Sequence, residues 1–171
     1  MIYYFAYGSN LHPMRLMDRV PSAEFVEISS LEGYRLTFHK KSTDGSSKCN
    51  IFEAEKENDI VYGAIYKIDE AHKNDLDKIE GKGHGYIDNQ LSIVVKGKEY
   101  LCFTYLAQQS HIVDDLHPYH WYKEMVVLGS KYLDFPVKYT EAIESITSID
   151  DSDVKRKAEN EILLRKMRDY I

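Results

Sequence analysis

The chain has 171 residues, 43% of them apolar and 29% charged, which is enough to build one ordinary globular core. Its formal charge of −6, from 28 acidic and 22 basic residues, argues against nucleic acid or an anionic membrane surface as the main partner, because both favour a basic patch. No window approaches a membrane span, and Ile2 to Ala6 lacks the length and basic flank of a signal peptide, so a single cytoplasmic domain over 1–171 is expected.

Ile2 to Ala6 reads as a buried opening strand stopped at Gly8, and Pro13 as the first residue of a short helix capped near Asn10 or His12. Strands follow at Phe25 to Ile28, Tyr34 to Lys40, Asn50 to Glu55 and Val61 to Ile68, with Thr43 to Lys48 as a mobile polar loop. Asp69 is a credible cap for a helix that carries Leu76 and Ile79 on one face and stops at Gly81. Leu91, Ile93 and Val95 then alternate, as do Leu101, Phe103 and Tyr105. The two runs form a matching set across a Lys96-Gly97-Lys98 turn, which predicts a hairpin. The last third is helical. His120 to Leu133 presents Trp121, Met125, Leu128 and Tyr132, and Pro136 opens a helix through Ile143. Asp150 or Ser152 caps a final helix carrying Val154, Ala158, Ile162 and Arg165. Strands early and helices late give an α+β class, a small twisted mixed sheet or barrel flanked by helices.

Two segments could carry chemistry. Tyr7-Gly8-Ser9-Asn10-Leu11 runs from an apolar strand into a helix start, where backbone N–H groups are left free to hold a carboxylate or oxyanion. An ordinary strand-to-helix turn with Asn10 as cap explains the same spacing. Glu80, followed by Gly81-Lys82-Gly83-His84-Gly85-Tyr86, ends a helix at the negative pole of its dipole, which raises a carboxylate pKa and suits a general base. A solvated glutamate before a flexible loop is the plain alternative. A dinucleotide fingerprint is excluded, since that motif opens a helix and this one closes it. His111, His117 and His120, with Asp114 and Asp115, are better read as surface residues than as metal ligands, and Cys49 and Cys102 as small buried hydrophobes. Fourteen tyrosines against six phenylalanines fit strands and wet pockets alike.

The residues Tyr4-Phe5-Ala6-Tyr7-Gly8-Ser9-Asn10-Leu11, Pro21-Ser22-Ala23, Val61-Tyr62-Gly63, Glu80-Gly81, Tyr122-Lys123-Glu124, Gly129 and Phe135-Pro136 together resemble the gamma-glutamylcyclotransferase family (AIG2-like) over about Tyr3 to Ile146. The resemblance implies a gamma-glutamylcyclotransferase-like fold and an enzyme needing neither metal nor cofactor. In that reaction the α-amine of a γ-glutamyl group closes onto its own side-chain carbonyl, giving 5-oxoproline and a released amine. It further implies Glu80 as general acid and base, with Tyr4 through Leu11, Tyr86 and Tyr122 around the substrate. The partner is a small γ-glutamyl molecule, neither nucleic acid nor membrane, and a homodimer is admitted. The run between Glu80 and Tyr86 is one residue shorter than in close relatives, and the helix after Ser152 lies outside the likeness. Variants acting on γ-glutamylamines or glutathione, and a non-catalytic binder on the same scaffold, stay open; a metal-dependent hydrolase ranks last.

Overall fold

Strand β1 (Ile2–Ala6) is built from apolar and aromatic residues alone, and such a strand is stable only with cover on both faces and both edges. It occupies the middle of a five-stranded sheet ordered β2-β5-β1-β7-β6, formed with β2 (Glu24–Glu32), β5 (Ile60–Ile68), β6 (Tyr86–Val95) and β7 (Lys98–Ala107). β1 runs antiparallel to β5 and parallel to β7, so the sheet is mixed. β3 (Tyr34–Lys41) and β4 (Ser47–Glu53) make a separate two-stranded sheet. The larger sheet curls enough for Lys96, at the β6–β7 turn, to reach Glu27 of the opposite edge strand at 2.6 Å. The computed structural model describes residues 1–54 and 59–170.

Among the described residues the helices are α1 (Pro13–Arg19), α2 (Glu70–Glu80), α3 (His120–Tyr132), α4 (Val137–Glu144) and α5 (Val154–Asp169). None is long and apolar enough to cross a membrane. A mixed sheet with helices packed against it is the expected α+β class, although α1 and α2 interrupt the run of strands. Asp69 caps α2 by accepting from Ala71 N–H at 3.1 Å, and Gly81 ends it in a left-handed conformation, φ 69°. One buried cluster joins β1, β5 and β7 to Leu16, Leu76, Met125 and Met167.

Four expectations need correction. Only Lys96 and Gly97 form the hairpin turn, both with positive φ (51° and 79°), rather than three residues. The shorter turn slips the register by one: Leu91 faces Cys102 and Ile93 faces Tyr100, while Leu101 is 61% exposed. Strand β4 starts at Ser47, and Glu55, where it was expected to end, lies outside the described residues. The polar run before it finds partners inside the protein: Ser46 and Ser47 are fully buried, Asp44 Oδ1 accepts from Ser46 N–H, and Tyr119 donates to the Asp44 carbonyl at 2.8 Å. Ile79 does not join Leu76 in the core but is 46% exposed. Finally, Asp153 caps α5, and the expected stripe Val154, Ala158, Ile162 and Arg165 is exposed while Leu164 and Met167 are buried. The buried Asp151 carboxylate sets that rotation by gripping Arg156 (Nη2 at 2.6 Å) and Trp121 of α3 (Nε1 at 2.9 Å).

Candidate functional site

After β1 the chain folds back in a turn, with Leu11 N–H donating to the Gly8 carbonyl at 3.0 Å, and enters α1 through His12 and Pro13. Tyr66 donates to the Leu11 carbonyl at 2.6 Å and fixes the far side of this turn. Among the described residues the N–H groups of Ser9 and Asn10 find no acceptor, as the open helix start predicts. Gly129 of α3 packs directly behind: a Cβ there would lie 2.5 Å from Leu11 Cβ.

α2 delivers Glu80 to this turn. Its Oε1 accepts from Asn10 Nδ2 at 3.0 Å and from Arg19 Nη1 at 2.7 Å, and Arg19 also reaches Asn10 Oδ1 at 3.0 Å. Asn10 Nδ2 further approaches the Tyr4 hydroxyl at 3.2 Å. The Glu80 side chain is 17% exposed, and among the described residues its Oε2 has no hydrogen-bond partner. One oxygen is therefore fixed and the other is left for a ligand.

The walls are tyrosines whose hydroxyls are already committed. Tyr7 donates to the Tyr105 carbonyl, Tyr86 to the Cys49 carbonyl at 2.5 Å, and Tyr122 accepts from Cys49 N–H at 3.1 Å. Burial pushes the phenols of Tyr7, Tyr86 and Tyr122 well above their ordinary range, so they are neutral near pH 7. Burial likewise pushes the Cys49 thiol up to about 12, which suits the small buried hydrophobe expected there and not a nucleophile.

The cavity has two parts that meet at Ser9, Glu80, Tyr86 and Tyr122. The inner cleft is closed by Tyr4, Tyr7, Gly8, Asn10, Cys49 and Tyr105. The outer chamber, roughly 320 Å³, is walled by Arg15, Arg19, Lys40, Lys48 and the turn around Gly81 and His84. Phe5, Ala6 and Leu11, expected around the substrate, are fully buried in the core behind the cleft and do not line it. No sequence motif points to Arg15, Arg19, Lys40, Lys48 or Tyr105 as cavity residues. The only sequence signal was the four-residue spacing of Arg15 and Arg19, which puts them on one side of α1.

A larger cavity, roughly 540 Å³, lies between α3 and α5 around Trp121, Asp151 and Leu164; neither Glu80 nor the turn 7–11 enters its wall. His120 binds Ser148 Oγ at 2.7 Å, and among the described residues no three His, Cys, Asp or Glu side chains converge as metal ligands do.

The family model described as gamma-glutamyl cyclotransferase, AIG2-like matches residues 4–124. The chain is 31% identical over 166 residues to the gamma-glutamylcyclotransferase of Bos taurus, covering 93% of this chain and 84% of that protein. It is 31% identical over 150 residues to the gamma-glutamylcyclotransferase of Homo sapiens, covering 84% and 77% respectively. A solved structure named gamma-glutamyl cyclotransferase superposes with a TM-score of 0.82 at 29% identity, covering 96% of this chain and 98% of that one.

Proposed function

Because the chain belongs to the gamma-glutamyl cyclotransferase, AIG2-like family, we propose that it cyclises γ-glutamyl amino acids or peptides to 5-oxoproline and releases the attached amine, with Glu80 as the proton carrier. One observation carries the assignment to Glu80: its carboxylate stands where the two parts of the cavity meet, anchored through Oε1 by Asn10 and Arg19, with Oε2 unpartnered among the described residues.

In this reading the inner cleft, roughly 20 Å³ as it stands, widens to take the γ-glutamyl group beside the turn 7–11. The unengaged N–H groups of Ser9 and Asn10 are donors for the substrate carboxylate or for the oxyanion that forms on the γ-carbonyl. The α-ammonium loses a proton to Glu80, and its nitrogen attacks the γ-carbonyl to close a five-membered ring. Glu80 gives that proton to the departing nitrogen as the amide C–N bond breaks, and the second proton still on the ring nitrogen passes through Glu80 to the freed amine, which leaves as an ammonium ion. Attack within one molecule makes orientation the main source of rate, which suits a cleft whose tyrosines are held by the backbone. No step calls for a metal. Tyr4, Tyr7, Gly8, Tyr86 and Tyr122 shape the cleft in this proposal, whereas Phe5, Ala6 and Leu11 support it from behind. Turnover of γ-glutamyl compounds, including those of glutathione metabolism, in the cytoplasm completes the reading.

The test is release of 5-oxoproline from γ-glutamyl dipeptides, γ-glutamyl-lysine and glutathione, with a chelator present. Activity on at least one substrate, lost in Glu80→Gln, is expected. A Glu80→Gln protein as active as wild type would remove Glu80 from the mechanism, and no release from any substrate would favour a non-catalytic binder.

A further inference from the structure

Resting on that reading, the outer chamber raises a question the reaction itself does not answer: why an acidic chain, net charge −6, gathers so much positive charge in one place. Arg15, Arg19, Lys40, Lys48 and Lys78 line the chamber against a single lining carboxylate, Glu80. Arg19 is paired with Glu80 at 2.7 Å, Lys48 with Asp44 at 2.7 Å and Lys78 with Asp75 at 3.2 Å. Arg15 and Lys40 are only 8% and 7% exposed, and among the described residues neither side chain has a hydrogen-bond or ion-pair partner; the Arg15 Nε is buried outright. Cations are almost never buried this deeply without a counter-charge.

The backbone accentuates the anomaly. A bulge in β3 between Phe38 and Lys40 sets Lys40 directly opposite Lys48 of β4. Like charges directly across a strand pair repel. Lys40 Nζ rests 4.3 Å over the Tyr86 ring, at the boundary with the inner cleft. The loop after Glu80 makes room for it with Gly85, φ 126°, where a Cβ would come within 2.9 Å of that Nζ. Desolvation, followed by repulsion from Arg19, lowers the Arg15 pKa to about 9, while Lys40 is lowered mainly by desolvation; an anion between them would relieve both. The inner cleft, by contrast, is lined by no lysine or arginine.

We infer that the outer chamber is an anion subsite in which Lys40 and Arg15, with Lys48 beside them, bind a carboxylate on the leaving group, so that γ-glutamyl amino acids with an acidic leaving residue are the preferred substrates. The glutamyl moiety enters the cleft that lacks cations, which must widen from roughly 20 Å³ to seat it, Glu80 stands at the bond that breaks, and the departing residue lies among the unmatched cations.

The test compares kcat/KM for γ-glutamyl-glutamate, γ-glutamyl-alanine and γ-glutamyl-methylamide, read as 5-oxoproline release, in wild type, Lys40→Met and Lys40→Arg. Wild type should favour the acidic substrate over γ-glutamyl-alanine by about tenfold or more, the methylamide should be slowest, and added salt should shrink the preference. Lys40→Met should bring the acidic-to-neutral ratio towards one, mainly through KM, and Lys40→Arg should retain it. Equal efficiency on γ-glutamyl-glutamate and γ-glutamyl-alanine in wild type overturns the inference whatever the methylamide or the variants do, and so does a ratio that Lys40→Met leaves unchanged. Either result would leave the cyclotransferase reading intact. Silence on all three substrates instead overturns that reading, and this inference with it.

Discussion

Gly129 separates packing from chemistry in one substitution. In Gly129→Ala the new methyl would sit 2.5 Å from Leu11 Cβ and 3.0 Å from His12 N. Carbon atoms rest about 3.5–4 Å apart, so α3 and the turn 8–12 must separate by about 1 Å. Alanine is favoured over glycine inside a helix by about 1 kcal/mol, whereas forcing a methyl into a filled core costs about 1–3 kcal/mol. Leu11 is fully buried and its carbonyl is held by Tyr66 at 2.6 Å, so the turn has little room to yield and the steric term wins. The expected net loss is about 1 kcal/mol, or roughly 2–4 °C in Tm for a chain of this length. Activity should suffer far more. The displaced turn carries Asn10, which holds Glu80 at 3.0 Å, and a shift of about 1 Å at a positioned catalytic group lowers the rate about a hundredfold. Thermal unfolding by circular dichroism and kcat/KM from 5-oxoproline release would be measured on the same preparation. A variant that melts higher than wild type and keeps its rate within twofold would refute the reasoning, showing that the contact carries neither fold nor site.

Three further outcomes follow from the geometry. Asn10→Asp places a second carboxylate about 3 Å from Glu80 in place of a donor, and should lower kcat/KM by about tenfold or more; because the position is buried, Tm should fall as well. An unchanged rate would show that the Asn10 bond does not position Glu80. The Arg156 guanidinium, with help from Trp121 and the Asp153 N–H, holds the Asp151 carboxyl well below its usual range. A depressed folded pKa stabilises fully above the unfolded value, near 3.9, and the benefit fades as pH falls below it. The Tm gap between wild type and Asp151→Asn should accordingly narrow from pH 7 to pH 3, and a gap that widens would reverse the sign. Burial raises both thiols to about 12, so neither Cys49 nor Cys102 should alkylate with iodoacetamide at pH 8 within minutes, while both should after unfolding. Rapid labelling of native Cys49 would mean that the inner cleft opens far wider than its walls suggest.

What was legible in the sequence was what local periodicity and caps determine. The apolar run Ile2 to Ala6, the Asp69 cap and the Gly81 stop each carry their signal within a few residues, and the structure has them there. The hairpin was visible but its register was not, because Lys96 takes a positive φ that a lysine does not advertise, and one residue of turn length changes which residues of β7 share a face with Leu91 and Ile93. The rotation of α5 was illegible for a different reason. Its apolar residues are sparse, and the face it buries is chosen by the grip of Asp151 on Arg156 and Trp121, a contact across thirty residues of chain. The cations of the cavity were hidden in the same way. Arg15 and Arg19 read as the polar face of a short helix and Lys40 as the outward residue of a strand end. Only the approach of α1, β3 and the Glu80 loop turns them inward.

The central place of β1 has a consequence for biogenesis. Its antiparallel neighbour begins at Ile60, and its parallel pairing to Cys102 and Phe103 lies about a hundred residues away along the chain. At about 5–20 residues per second on a ribosome, the uncharged run IYYFA waits about 5–20 s for its last neighbour. Such a run, rich in strand formers and free of charge and proline, is the kind of segment that pairs with copies of itself when left open. Loop closure over that distance also makes the sheet slow to assemble. Refolding from denaturant should therefore be slow, and its yield should fall as protein concentration rises, because the strand that frames the cleft is the last to be covered.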